Sequence, residues 1–284
     1  MFEGQTFAQV QRLVQIRVDA VRVACELEVS APKLGNVHPK AEFSDCDHIA
    51  FIEAAAQVAP VLGSRDPSLT LGDRVLEAVK RTRLVTEANV NLGIILLIAP
   101  LAMADDPQGV ASVIHALSPA DGSKVFEAIR LASPGGMKRE EVPSNQDVLA
   151  AQDAPIDLVN AMSQAAHRDR IALQYASGFD DFFNQVLPVV DAHLILDLPA
   201  HDAIVNAQLH LMSREVDSLI LRKCGPEIAE EARARAAACI ANDSVEQRQQ
   251  FDAWLRADGN RRNPGTTADL LAASLYWLMR ARTI

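Results

Sequence analysis

The chain has 284 residues, which is enough for one large domain or two small ones, and 49% of them are hydrophobic but only 5% aromatic. Its formal net charge of −10 argues against a DNA or RNA partner, because nucleic-acid affinity depends largely on Lys and Arg. A small phosphorylated ligand stays compatible with this charge, since a local basic cluster or a divalent cation can bind phosphate on an acidic protein.

Cysteine usage and the N-terminus predict a cytoplasmic protein. The four cysteines show no CxxC spacing, and the opening residues MFEGQTFAQ lack the basic and apolar regions of a signal peptide. The longest apolar run, residues 92–104, contains Pro100 and is shorter than the ~20 residues that a membrane helix needs. We therefore expect reduced thiols, no membrane partner, and a buried core helix at this run.

Apolar residues recur every three or four positions along most of the chain, which is the period of an amphipathic helix. The predicted helices cover residues 5–28, 44–63 (starting between 44 and 47), 70–85, 91–105, 108–117, 119–132, 155–177, 179–197, 200–224, 226–241, 244–257 and 266–280. No period-2 stretch is long enough for a strand. The sequence therefore predicts an all-α fold, a single compact domain of roughly ten to twelve helices over residues 1–284. Segment 134–147 is the most linker-like, and a domain boundary there is the alternative.

The first candidate site is the turn PKLGN at residues 32–36. A segment with this Pro and Gly content cannot be helical, so Lys33 and the bare N–H group beside Gly35 could face an anion. The alternative is a surface turn with a solvated lysine. A similar choice applies to Asp45 and Asp47 at the next helix start, where the simplest role of a carboxylate is to cap the helix.

The second candidate site is ANVNLG at residues 88–93, directly before the most apolar helix. Asn89 and Asn91 would lie on one side of an extended segment, where amides can bind a ribose, a base edge or a phosphate without adding charge. The alternative is that one of them caps the helix that begins near Leu92. Gly93 would allow the chain to break helix before this point.

The third candidate site is NPGTTAD at residues 263–269, a turn that opens into the last helix. Free N–H groups at a helix start favour phosphate, and Gly265 and Thr266 lie at this position, although Thr266 and Asp269 also match a capping box. Because Asp269 would repel a phosphate, phosphate binding here implies Mg²⁺ between them.

Asp217 lies in REVDSLILRKCG, three residues after Arg214 and shortly before Arg222 and Lys223. Taken alone, the Arg214 spacing suggests an ordinary surface ion pair on a helix. No HxxxH motif or Ser, His and Asp arrangement stands out, and His167 is more typical of a helix face than of a catalytic base.

The order of these motifs resembles that of the triphosphoribosyl-dephospho-coenzyme A synthase family over about residues 25 to 280. PKLGNV is followed by SDC, ANVNLG, VDSLILRKCG and NPGTTADLLAASL. The resemblance implies an all-helical enzyme that joins the ribose C1 of ATP to the 2′-hydroxyl of 3′-dephospho-coenzyme A and releases adenine. The product would be the prosthetic-group precursor of citrate lyase or malonate decarboxylase.

Several motif positions differ from the family pattern. Leu34 replaces the second proline of PKPG, and Phe43 stands where the family has a histidine. Val90, Asn91 and Leu92 occupy the positions of threonine, histidine and lysine. An arginine-glycine-glutamate motif is represented by residues 172–174, ending in Gln174, with Arg168 and Arg170 nearby.

The resemblance implies a role for each matched residue. Asp217 and Asp45 are the candidate catalytic carboxylates, and Asp269 and Asp45 the candidate Mg²⁺ ligands on the donor phosphates. The predicted nucleotide- and phosphate-binding residues are Lys33, Gly35, Asn89, Asn91, Gly93, Arg170, Arg222, Lys223, Gly265 and Thr266. The expected partners are small nucleotide substrates, with a homodimer left open.

Two other functions fit the same residues. The chain could transfer a ribosyl or phosphoribosyl group, from ATP or phosphoribosyl diphosphate, to an intermediate of another cofactor, such as a pterin-type one-carbon carrier. It could also be a helical protein that binds a nucleotide without turning it over, which is what the altered motifs would predict for a non-catalytic relative.

Overall fold

The computed structural model describes residues 1–43, 46–132 and 156–280, and these residues form fifteen α-helices and no strand. The helices are α1 (Phe7–Gln11), α2 (Arg17–Ser30), α3 (His48–Leu62), α4 (Leu71–Thr82), α5 (Leu92–Ala102), α6 (Pro107–His115), α7 (Pro119–Ala132), α8 (Leu158–Ala165), α9 (Arg170–Ala176), α10 (Leu187–Leu194), α11 (Ala200–Arg214), α12 (Ser218–Cys224), α13 (Pro226–Ala241), α14 (Val245–Arg256) and α15 (Gly265–Arg280). A short π-helical stretch, Phe182–Val186, precedes α10. The all-α prediction is confirmed.

Three predicted helices are each divided in two, which accounts for the larger number of helices. In each case an aspartate side chain accepts hydrogen bonds from backbone N–H groups where the second helix begins. These residues are Asp19 at α2, Asp169 at α9 and Asp217 at α12. Such caps satisfy N–H groups that have no partner within the helix. Apolar periodicity continued across these breaks, so the sequence pattern alone predicted one long helix at each place.

The predicted linker 134–147 and Asp45 lie outside the described residues. The prediction of a single domain over the whole chain therefore stays a prediction.

Helix α5 is the centre of the larger hydrophobic core. All of its residues except Gly93 are buried, and it packs against α3, α4 and α15, while α15 also packs against α2. A helix that is apolar on every side is stable only when protein surrounds it, so the predicted buried core helix is confirmed. In the described part of the chain, no single helix is long and apolar enough to cross a membrane, and α5 with α6 reaches that length only as a pair bent by 107°.

A smaller hydrophobic cluster joins α11, α12, α13 and α14, and it includes Leu34 from the turn after α2. The fully buried side chain of Gln208 on α11 fixes this turn. Its Oε1 accepts from the Leu34 N–H at 2.8 Å, and its Nε2 donates to the Leu34 carbonyl at 2.8 Å and to Asn36 Oδ1 at 2.9 Å. The turn between α2 and α3 is therefore attached to the second cluster by side-chain bonds to its backbone.

We predict that Gln208→Ala lowers the free energy of unfolding by about 2–3 kcal/mol, because it leaves buried groups of Leu34 and Asn36 without partners. Chemical denaturation measures this change. Gln249→Ala, at an exposed position on α14, is the control and should change stability by less than about 0.5 kcal/mol. Equal effects of the two substitutions would contradict the role given to Gln208.

Candidate functional site

A cavity of about 310 Å³ lies at one side of the larger hydrophobic cluster, where the end of α2 meets the starts of α5, α9 and α15 and the last turn of α12. Its polar wall residues are Glu28, Asn36, Asn89, Asn91, Asp169, Arg222, Lys223, Asn263, Thr266 and Asp269. Its apolar wall includes Val29, Phe51, Leu96, Ile129 and Met162. A concave site with apolar walls and a few converging polar groups is typical of a small-molecule pocket.

Most of the site residues predicted from separate motifs line this cavity. Asn89, Asn91, Gly93, Arg222, Lys223, Gly265, Thr266 and Asp269 all line it. Lys33, Gly35, Arg170 and Asp217 do not line it, and Asp45 lies outside the described residues. Residues up to 180 positions apart in the sequence therefore meet at one place.

The two asparagines before α5 have different roles. Asn89 is exposed, and its Oδ1 accepts the Leu92 N–H at 3.2 Å, so it serves as a helix cap. Asn91 is 7% exposed, and its Oδ1 accepts from the Thr82 hydroxyl at 3.1 Å. Among the described residues its Nδ2 has no hydrogen-bond partner. Because buried amides are normally paired, Asn91 has unused donors at the cavity wall.

Gly93 allows the Asp269 side chain to lie against the start of α5. A Cβ atom built on Gly93 would be 2.0 Å from Asp269 Oδ2 and 2.5 Å from its Cγ. Any side chain at position 93 would therefore displace the carboxylate. The glycine of this motif is needed here for the close approach of another residue.

Asp269 lies in a strongly negative environment. Burial raises its pKa well above the ordinary value, and repulsion from Glu28, Asp217 and Asp169 raises it further, while Arg222 acts in the opposite direction. The residue keeps some solvent access. A cation in the cavity would relieve this repulsion and favour the charged carboxylate.

The basic side of the cavity is formed by Arg222 and Lys223 in the last turn of α12. Arg222 Nη1 donates to Asp169 Oδ2 at 2.8 Å, and Asp169 also caps α9. This ion pair fixes the guanidinium group at the wall and holds α9 next to α12. Cations that are placed in this way suit a phosphorylated ligand.

Asp217 has its carboxylate occupied by the protein. Oδ1 accepts the N–H groups of Leu219 and Ile220, and Oδ2 accepts the N–H and hydroxyl of Thr267 at 2.7 and 2.8 Å. Burial raises the pKa of Asp217, although these hydrogen bonds oppose the shift. The geometry favours a positioning role, the attachment of α12 to the start of α15, over the predicted catalytic one.

Lys33, Gly35 and Arg170 support the site from outside the cavity. Lys33 is fully buried and pairs with Glu28. Gly35 has a φ of +73°, and its N–H donates to Asp252 Oδ1 at 2.7 Å. Arg170 binds Asp181 through two nitrogens. These partners leave none of the three facing a ligand in the cavity.

A chain of hydrogen bonds connects α9, α12 and α15 behind the basic wall. The Arg170 N–H donates to Ser218 Oγ at 3.2 Å, and that hydroxyl donates to Thr266 Oγ1 at 2.9 Å. The three helix starts that surround the cavity are thus fixed relative to one another.

The altered motif positions also have structural explanations. Val90 and Leu92 are buried and line the cavity, so they make this part of the wall apolar. Gln174 is fully buried, and its Nε2 donates to the Arg170 carbonyl and to Asp181 Oδ2. Phe43 is not on the cavity wall, and its N–H donates to the Cys46 carbonyl.

Sequence reasoning missed Glu28, Asn36 and Asp169. The available signal for Glu28 was a pair of carboxylates, Glu26 and Glu28, within an otherwise apolar helical segment, CELEV, just before the PKLG turn. Asn36 follows that turn directly, and its Nδ2 donates to Asn263 Oδ1 at 2.6 Å. Asp169 lies directly between Arg168 and Arg170, the two arginines beside the altered motif.

The donor groups of the cavity fit Mg²⁺ held together with phosphate. The described residues contain no group of three or more His, Cys, Asp or Glu that could hold a metal by themselves. Mg²⁺ usually binds one or two protein carboxylates and completes its coordination with phosphate oxygens and water. Asp269 and Glu28, which repel each other within the cavity, supply such carboxylates.

Comparisons with known proteins identify a family by its model and a solved structure of similar fold. The model of the CitG family, ATP:dephospho-CoA triphosphoribosyl transferase, matches residues 16–283. The fold is similar to the crystal structure of an Archaeoglobus fulgidus protein provisionally assigned as a triphosphoribosyl-dephospho-coA synthase, with 23% identity, a TM-score of 0.62, and coverage of 83% of this chain and 99% of that one. No curated protein matches the chain.

We predict that Gly93→Ala weakens ATP binding by about tenfold or more, because the new Cβ must displace the Asp269 carboxylate. Thermal unfolding of the variant is measured in parallel, because the new Cβ would also lie 2.7 Å from Ile171 Cδ1 and would lower stability as well as affinity. Calorimetric titration with Mg-ATP measures the affinity. Gly109→Ala on α6, away from the cavity wall, is the control, and equal ATP affinity of both variants would contradict the role of Gly93.

Proposed function

The chain belongs to the ATP:dephospho-CoA triphosphoribosyl transferase family, and we propose that its cavity is the place where the transfer occurs. As a member it is a transferase that joins the triphosphoribosyl group of ATP to 3′-dephospho-coenzyme A. The observation that carries the proposal is the convergence of residues from the asparagine motif, α12 and the last helix on one cavity.

The reaction sets clear demands on the site. The bond between ribose C1 and adenine N9 breaks, a bond from C1 to the acceptor 2′-oxygen forms, and the proton of that hydroxyl is ultimately balanced by protonation of the departing adenine. Positive charge develops at the ribose between these events. The site must therefore hold donor and acceptor in line and supply negative charge near C1.

We assign the phosphate end of ATP to the basic wall. Arg222 and Lys223 would contact the triphosphate, and Gly265 and Thr266 place it at the N-terminal end of α15, where the helix dipole favours anions. Asp269 would hold Mg²⁺ on these phosphates, where the metal neutralises part of their charge.

The asparagine end of the cavity suits the nucleoside. Asn91 would donate its unused Nδ2 hydrogens to a ring nitrogen of adenine or to a ribose oxygen. Its apolar neighbours Val90 and Leu96, together with Met162, would contact the base and keep water away from C1. Asp217 then acts indirectly, by fixing the start of α15.

The expectations for Asp45, for localisation and for partners are also proposals. Asp45 stays a predicted catalytic carboxylate and a predicted Mg²⁺ ligand. A cytoplasmic location stays a prediction from cysteine usage. Nucleotide substrates are the proposed partners, and a homodimer stays a prediction.

We predict that the purified protein, incubated with ATP, Mg²⁺ and 3′-dephospho-coenzyme A, releases adenine and forms the triphosphoribosyl adduct, both measured by mass spectrometry. Asp269→Asn should reduce the rate by at least about a hundredfold, since it removes the carboxylate that would hold Mg²⁺ on the donor phosphates. Asp202→Asn, an exposed position in the first turn of α11, should retain the wild-type rate.

Other outcomes of this assay identify the alternatives. Adenine release only with a different acceptor would indicate ribosyl transfer for another cofactor. Tight ATP binding without turnover would indicate a binding protein, and no binding of either ATP or phosphoribosyl diphosphate would contradict the proposed function.

We predict that substitution of Asn91 mainly affects ATP affinity, whereas substitution of Asn89 mainly affects stability. Asn91→Ala should raise the Kd for ATP by about tenfold, since a buried hydrogen bond contributes on the order of 1–3 kcal/mol. Asn89→Ala should mainly lower the free energy of unfolding, by about 1 kcal/mol, because it removes a helix cap. Titration calorimetry and thermal unfolding of both variants separate the two roles, and a larger loss of ATP affinity in Asn89→Ala would reverse our assignment.

A further inference from the structure

Beside the cavity, Lys33 and Glu28 form an ion pair that is almost completely removed from water. Lys33 Nζ lies 2.8 Å from Glu28 Oε1, and the two side chains are 0% and 5% exposed. Nζ also donates to the backbone carbonyl of Glu28 and, at 3.5 Å, to that of Ala31. An ammonium group has three donors, so the protein itself provides an acceptor for each of them.

The two partners have different positions relative to the cavity. Glu28 lines it, whereas Lys33 does not. Glu28 lies in the last turn of α2, where the negative end of the helix dipole is unfavourable for a carboxylate. Lys33 offsets this unfavourable interaction, because its ammonium group binds the helix-end carbonyl and the carboxylate together. Lys33 therefore holds the Glu28 carboxylate in place at the cavity wall.

We propose that Lys33 is a positioning residue, and that the carboxylate it holds, Glu28, is the second protein carboxylate toward Mg²⁺ on the donor phosphates, together with Asp269. This inference rests on the proposed function and gives Lys33 a role other than the phosphate contact that the motif predicted. The physical reason is that a lysine with no accessible surface and three protein acceptors cannot also reach a phosphate.

Two further observations support a ligand of this kind. Among the charged groups that raise the pKa of Asp269, Glu28 has the largest effect, so the two carboxylates act on each other electrostatically. The unpaired Nδ2 of Asn91, on a residue 7% exposed at the same cavity, independently indicates a polar ligand. A metal between carboxylates and phosphates would neutralise charges that otherwise repel.

The test measures the affinity for ATP with and without Mg²⁺ by titration calorimetry. Glu28→Gln keeps an oxygen acceptor for Lys33 and leaves its two backbone acceptors in place, and circular dichroism of the variant checks that it folds without the opposite charge. It should bind metal-free ATP several-fold more tightly than wild type, because one negative charge has left the cavity. The increase in affinity that Mg²⁺ produces should fall by at least about tenfold.

The double variant Glu28→Gln/Lys33→Met separates positioning from phosphate binding. It removes both charges, so no isolated ion stays buried. If Lys33 acts only through Glu28, the double variant should bind metal-free ATP as Glu28→Gln does, within about twofold. The matched control is Glu26→Gln on the same helix, a buried carboxylate that pairs with Arg22 and does not line the cavity; it should behave as wild type.

Each contrary result has its own meaning. A tenfold or greater loss of metal-free ATP binding on adding Lys33→Met to Glu28→Gln would show a direct phosphate contact and overturn the positioning role. An unchanged Mg²⁺ effect in Glu28→Gln would overturn the ligand role, and this variant decides that point even if the double variant does not fold. Wild-type protein that binds no ATP would overturn the proposed function itself.

Discussion

The hydrogen bonds of the Asp217 carboxylate hold the site together. One oxygen caps α12 and the other receives both donors of Thr267, so the beginnings of two helices are fixed by a single buried side chain. Helix α12 carries Arg222 and Lys223, and α15 carries Thr266 and Asp269. The relative position of the basic wall and the acidic wall therefore depends on this carboxylate.

Two carboxylates on the cavity wall repel each other. Glu28 and Asp269 both line the cavity, and their repulsion contributes to the raised pKa of Asp269. Buried charge of one sign is unfavourable unless a ligand of opposite charge is bound for part of the catalytic cycle. Two ion pairs reduce this cost. Lys33 pairs with Glu28, and Arg222 pairs with Asp169. A cation bound together with phosphates, as proposed above, would relieve this repulsion.

The sequence predicted the fold more fully than it predicted the roles of site residues. Apolar periodicity located every long helix, and the run after Asn91 was identified as the buried core helix, because both inferences depend on neighbours within a few residues. The helix breaks at Asp169 and Asp217 were missed, since periodicity continues through them and only the cap reveals the start of a new helix. Glu28 was also missed, because a carboxylate in an apolar helix has no local signature that distinguishes a wall residue from a structural ion pair.

The sequence by itself determined the helical class, the family and the set of segments that meet, since motif order and apolar spacing are properties of the chain alone. Only the tertiary structure decided which residue of each motif faces the cavity. Lys33 and Asp217 stand at positions of the motifs, yet buried partners from their own turn and from α15 occupy their polar atoms. Asn91 differs from Asn89 for the same reason: a residue's free donors depend on what packs against it, and those contacts come from distant parts of the sequence.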